Sequence, residues 1–181
     1  MTSLRLTIVF AAACLACGGV RTTMLTGGRL GPHSPTDSVP AGWQTDGSAI
    51  SMRFDSTVAA RRDGRPTLRI AYDGKAPYAG IIQRIDADSL GGRSIELRTH
   101  LMQDSTSASV GIWMMAVSAN RERLAYINSY DAVSAAPYRW AAHRLRLTVP
   151  PGTARLLVGA SVHTGSGVMW VSDLSLSRGR R

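Results

Sequence analysis

The sequence predicts an all-β fold, a sandwich of about eight or nine short strands with no helix longer than a turn. Three observations predict it. Apolar residues alternate with polar ones at period two in short stretches, the pattern of strands with one face in a core. Clusters of Gly, Pro, Asp and Ser separate those stretches and turn the chain. The composition, 44% hydrophobic and 18% charged over 181 residues, is that of a globular chain long enough for one domain with its own core. No internal repeat is visible.

In chain order, the first element is a targeting segment, residues 1–17. Arg5 supplies a short positive region and "LTIVFAAACLAC" (Leu6–Cys17) an apolar run too short to span a bilayer as a mature helix. The run ends in "LACGG", which resembles the lipobox of bacterial lipoproteins and implies lipidation at Cys17. Cys14 stands where an aliphatic residue is usual in that motif. Plain secretion and an uncleaved anchor are the alternative fates. Residues 18–42, rich in Gly, Pro, Ser and Thr, read as a flexible tether. Trp43 opens the folded domain, 43–177, and 178–181 form a basic tail.

The strands follow. "SAISMRFDS" (Ser48–Ser56) alternates Ile50, Met52 and Phe54, and "TLRIAYD" (Thr67–Asp73) alternates Leu68, Ile70 and Tyr72. "GIIQRIDA" runs to Ala87. "RSIELRTHLM" places Ile95, Leu97, Thr99 and Leu101 on one face and Glu96, Arg98 and His100 on a solvent face. "SVGIWMMAVS" (Ser109–Ser118) is apolar on both faces, so it is a central strand covered twice, by the core and by either a loop or a half-open ligand groove. "LAYINSYDAVSAAPYRW" reads as a crossover. "HRLRLTVPPG" points His143, Leu145, Leu147 and Val149 inward. Arg155 to His163 is the next strand, and "GSGVMWVSDLSLS" (Gly165–Ser177) the last.

Charge and cysteines exclude several functions. The chain carries 21 Lys+Arg against 12 Asp+Glu, a net charge of +9. The arginines are scattered, no basic stripe or nucleic-acid motif is present, and export removes that partner. The net field favours only a weak affinity for anionic lipid headgroups or acidic glycans. Both cysteines, Cys14 and Cys17, lie in the targeting segment, which leaves the domain no disulfide, Cys-ligated zinc or cysteine nucleophile.

The order "GWQTDG", "GRPTLRI", "IIQRIDADSLGGRSIELRTHL", "GIWMMAV" and "YRWAAHRLRLTVPPGTARLLVGASVHTGSGVMWVSDLSLS" resembles a galactose-binding-like jelly-roll domain. Such domains occur as carbohydrate-binding modules and in some bacterial regulators of the AraC type. The likeness covers Trp43 to Ser177. It implies a two-sheet jelly-roll β-sandwich, with Trp140 at a strand start and Trp170 in the core; sites are grafted onto such folds, so it says less about function. Relatives often close with two adjacent aspartates, where this chain has Ser172-Asp173. An aspartate there helps hold a structural calcium in many such modules. Asp173 is therefore either a calcium ligand or a hydrogen-bonded edge residue, and the lost carboxylate weakens the first reading. No other cofactor is implied.

Catalytic motifs are missing. His33, His100, His143 and His163 have no metal-ligand spacing, although strands could unite His100 and His163. "HTGSG" (His163–Gly167) and "DADSLGG" (Asp86–Gly92) read as turns, not as a nucleophile elbow and a calcium loop. Glu96 and Glu122 are the only glutamates, and no carboxylate pair is indicated. A sugar site needs aromatic faces and polar side chains that grip hydroxyls. Arg98, Trp113, Tyr126, Asn128 and Tyr130 are the candidates, against a plain reading of Trp113 as core and of the tyrosines as rim or crossover packing. The expectation is a non-catalytic, exported binding module at the cell envelope, membrane-held through its lipid, with carbohydrate as ligand. The alternative is an accessory lipoprotein whose partner is another envelope protein.

Overall fold

The computed structural model describes residues 39–40, 42–49, 51–57, 62–65, 67–105, 107–130 and 136–179. The targeting segment, Cys17 and nearly all of the tether lie outside these residues, as do Arg180 and Arg181 of the tail.

The described residues form ten strands: β1 (Gln44–Gly47), β2 (Ser51–Asp55), β3 (Thr67–Tyr72), β4 (Tyr78–Asp86), β5 (Ser94–Gln103), β6 (Ser109–Val117), β7 (Arg123–Asn128), β8 (Ala141–Thr148), β9 (Arg155–His163) and β10 (Gly167–Arg178). The two beyond expectation are β1 and β7. β1 has no apolar alternation to announce it, and β7 is an edge strand with both faces partly solvated, so its pattern reads like a loop.

All pairings are antiparallel and divide the strands into two five-stranded sheets, β1-β4-β9-β6-β7 and β2-β3-β10-β5-β8. Only β2–β3 and β6–β7 are hairpins between consecutive strands; every other connection crosses from one sheet to the other. This is the two-sheet jelly-roll sandwich that the sequence predicts.

Alternation builds the core between the sheets. Leu68 and Ile70 from β3, Ile95, Leu97 and Leu101 from β5, Ile112 and Met114 from β6, and Met169, Leu174 and Leu176 from β10 are fully buried. Removing each such side chain from water contributes about 1.5–3 kcal/mol before conformational entropy is set against it. Trp43, at 7% exposure, packs into this core just before β1.

Two placements differ from the sequence reading. Met169 and Val171 take the inward positions of β10, so Trp170 between them faces outward. It is buried there in a small separate cluster with Met102, against which Trp140 and Val168 pack, and its Nε1–H donates to Asp55 Oδ2 at 3.0 Å. Glu96 also faces outward from β5, yet its side chain is only 3% exposed. Arg98 and Arg146 donate to its two carboxylate oxygens, and Arg144 Nε stands 3.9 Å from Oε2. Three guanidinium groups replace the solvent expected at that position.

Candidate functional site

Residues opposite one another in antiparallel strands share a face, so the register gives the outer surface of the first sheet row by row. Tyr78 of β4 stands opposite His163 of β9. The next row is Asp46, Gly80, Ser161 and Gly111; then Gln44, Ile82, Gly159, Trp113 and Asn128; then Arg84, Leu157, Met115 and Tyr126. A final row holds Asp86, Arg155, Val117 and Arg123.

Glycines make room for rings on this surface. A Cβ on Gly159 would lie 2.6 Å from Cε2 and Cζ2 of Trp113, and one on Gly111 2.5 Å from Cδ1 of Tyr130. The indole and the phenol therefore rest directly on backbone. With Asp46, Tyr78, Tyr126 and His163 they line an open cleft of about 230 Å³. Tyr126 is 40% exposed at its rim, while Trp113 at 6% forms its floor.

The aromatic groups are fixed by one another. Tyr78 stacks on His163 with centroids 5.3 Å apart, Tyr130 meets the same imidazole edge-on at 4.2 Å, and Trp113 and Tyr126 are tilted at 6.5 Å. Tyr130 Oη shares a 2.6 Å hydrogen bond with Ser161 Oγ, which lies 3.2 Å from His163 Nε2. Tyr78 Oη donates to Asp46 Oδ1 at 3.1 Å. Burial pushes the Tyr130 phenol far above its ordinary range, outweighing the opposing bond with Ser161. Burial and then the Asp46 charge raise Tyr78, while burial lowers His163 against the opposing pull of Asp46. At pH 7 the cleft thus offers ring faces and neutral hydrogen-bonding groups around Asp46. Ser161, 1% exposed and shared with Tyr130, has no open approach for use as a nucleophile.

Four of the five residues expected to grip a sugar share this face. Trp113, Tyr126 and Tyr130 line the cleft. Asn128 stands beside Trp113, with its Oδ1 accepting the backbone N–H of Tyr130 at 3.2 Å. Arg98 does not join them, because β5 belongs to the second sheet and the guanidinium is bound to Glu96. His100 and His163 are parted for the same reason, one on each sheet. The second cover over β6 is supplied by Tyr126 of β7 and by Tyr130 just after it.

Asp173 sits at a bulge in β10 with φ 55°. Its carboxylate accepts from Arg62 Nη1 and, at 3.2 Å, from Ser172 Oγ; Arg62 Nη2 is 3.2 Å from His100 Nε2. A guanidinium stands on the carboxylate that calcium would need, and no group of three His, Cys, Asp or Glu among the described residues could hold a metal ion.

Tyr78, Asp46 and Ser161 escaped the sequence reading, and His163 entered it only as a possible metal partner of His100. The signal for two of them was present: Gly159, Ser161 and His163 are small or polar at period two on one side of β9, opposite Val158, Ala160 and Val162.

No family model matches the chain, and no curated protein matches it in sequence. Solved structures match its fold. TmCBM61, solved in complex with β-1,4-galactotriose, is 12% identical with a TM-score of 0.54, over 77% of this chain and 90% of that one. The C-terminal family 22 carbohydrate binding module of Clostridium thermocellum Xyn10B is 10% identical with a TM-score of 0.57, over 76% and 86%. The enzymatically active domain of tailspike protein 4 of bacteriophage CBA120 is 14% identical with a TM-score of 0.58, over 77% of this chain. This chain spans only 20% of that protein's length.

Proposed function

We propose that the chain is a non-catalytic carbohydrate-binding module whose ligand lies in the outer cleft of the first sheet. One observation carries the reading: Trp113 and Tyr130 are seated on glycine backbone beside neutral hydrogen-bonding groups, in a cleft open to solvent. A sugar presents C–H faces to rings and hydroxyls to polar atoms, and this cleft offers both. The sandwich neighbours whose names specify carbohydrate binding support the reading at fold level. We propose too that residues 1–17 export the chain and that Cys17, through the 18–42 tether, holds it at the envelope. The sequence alone supports that part.

The test is a thermal-shift and calorimetric screen against soluble β-1,4-galacto- and xylo-oligosaccharides and further glycans, in calcium and in chelator. A ligand at a hundred times its Kd stabilises by about 2.7 kcal/mol, a shift of several degrees. Tyr126→Ala, which trims a half-exposed rim residue, is expected to keep the fold and lose the shift; calcium is expected to change nothing. A broad panel that leaves the melting point unmoved overturns the reading.

A further inference from the structure

The aromatic cleft continues along its sheet into a second, larger groove of about 790 Å³, and the two share Met115. The second groove has Met115 and Leu157 on its floor and Arg84, Arg121, Arg123 and Arg155 around it, all exposed. Asp86 and Asp88 line the same groove, so four guanidinium groups face two carboxylates. Among the described residues none of these six forms an ion pair, and Arg84 donates only to the neutral Gln44. The second sheet differs, since there Arg98, Arg144 and Arg146 gather on Glu96, and Arg62 on Asp173.

Arg121 has φ 66° in the turn from β6 to β7, closed by bonds from Arg121 N–H to Ser118 O and from Ser118 N–H to Glu122 O. That left-handed conformation ordinarily goes to Gly, Asn or Asp. Along β6, Trp113 and the row of Val117 are four residues apart, about 13 Å at strand rise. A short oligosaccharide spans that distance and a single sugar does not.

We infer that the ligand is an anionic glycan, its sugar rings against the exposed rim ring of Tyr126 in the cleft floored by Trp113, and its carboxylates or other anionic groups on Arg123, Arg155 and their neighbours. The inference rests on the carbohydrate reading of the same sheet face and adds the substrate class. A guanidinium fork matches a carboxylate or sulfate two-pronged, which gives it geometric selectivity beyond net charge.

The experiment is calorimetry on the full chain with paired oligosaccharides: oligogalacturonate, oligomannuronate and glucuronate-substituted xylo-oligosaccharide, each beside its methyl ester. Vesicles of phosphatidylglycerol in phosphatidylcholine form a separate arm. At least one acid is expected to bind about tenfold tighter than its ester. The difference should vanish in Arg123→Gln/Arg155→Gln, whose exposed substitutions leave the melting point within a degree or two. Tyr126→Ala should weaken acid and ester alike. Esters binding as well as acids would overturn the charge assignment and leave the carbohydrate reading standing. Silence from every glycan would remove both. Acid preference that survives the double substitution, or vesicle binding that exceeds glycan binding, would refer the arginines to net charge or to lipid and overturn the inference.

Discussion

Replacing Glu96 by glutamine perturbs the most enclosed charge on the second sheet. Burial alone would raise this carboxyl, but hydrogen bonds from Arg98 and Arg146, with the charges of Arg98 and Arg144, bring it down from 4.5 to about 2. At 1.36 kcal/mol per tenfold, that difference between unfolded and folded chain is worth about 3 kcal/mol. The side chains of Arg144 and Arg146 are 56% and 59% exposed, and their solvation trims the figure to about 2 kcal/mol. The folded value is depressed, so the stabilisation is fully present above pH 4.5 and is lost as the pH falls toward 2. Urea unfolding of wild type and Glu96→Gln between pH 7 and pH 2.5 measures it. The variant is expected to be about 2 kcal/mol less stable at pH 7, a fall of several degrees in melting temperature, and to converge on wild type at the acid end. Equal stabilities at pH 7, or a gap undiminished at pH 2.5, would refute the assignment of that energy to the carboxylate and its arginines.

His100, His143 and His163 are each held below their ordinary value, with burial the largest cause. The unfolded chain therefore takes up more protons below pH 6.5, and the melting temperature is expected to fall between pH 7 and pH 5, above the window in which Glu96 acts. A flat profile there would contradict their burial in neutral form. Gly159→Ala would drive a methyl into Trp113 at 2.6 Å and against the Ile81 carbonyl at 2.5 Å. It is expected to destabilise by about 1–3 kcal/mol and to blue-shift or quench the Trp113 fluorescence seen by difference from Trp113→Phe. Unchanged stability and emission would show that the indole does not rest on that backbone.

The fold was legible because period-two alternation is a local signal. β9 runs from Arg155 to His163 as its residues read, and the apolar faces of β3, β5 and β6 are the buried ones. Sheet membership is not local, and the misplacements follow from that. Nothing in "RSIELRTHLM" says that β5 lies across the sandwich from β6, so Arg98 could be grouped with Trp113 until the topology parted them. Likewise Arg144 and Arg146 meet Glu96 only through the pairing of β5 with β8, which turns a position that alternates like a solvated one into a buried ion cluster. Trp113 was ambiguous for a physical reason: a ring laid on glycine beside Tyr126 is both buried like a core residue and lined up with a cleft.

β10 is the last strand of the sandwich in chain order and the middle strand of its sheet, with β3 on one side and β5 on the other. While it is missing, β2–β3 and β5–β8 are two separate ribbons with unpaired inner edges, each short of the strands an independent sheet needs. A ribosome delivering this chain from its amino end thus cannot finish the second sheet until Gly167–Arg178 has emerged. Closure must then wait for partners about 70 to 100 residues upstream, a slow search by the measure of loop entropy. That order of events leaves the second sheet open until its final strand is made, and it makes any break before Gly167 a failure of the whole sandwich and not the loss of an edge.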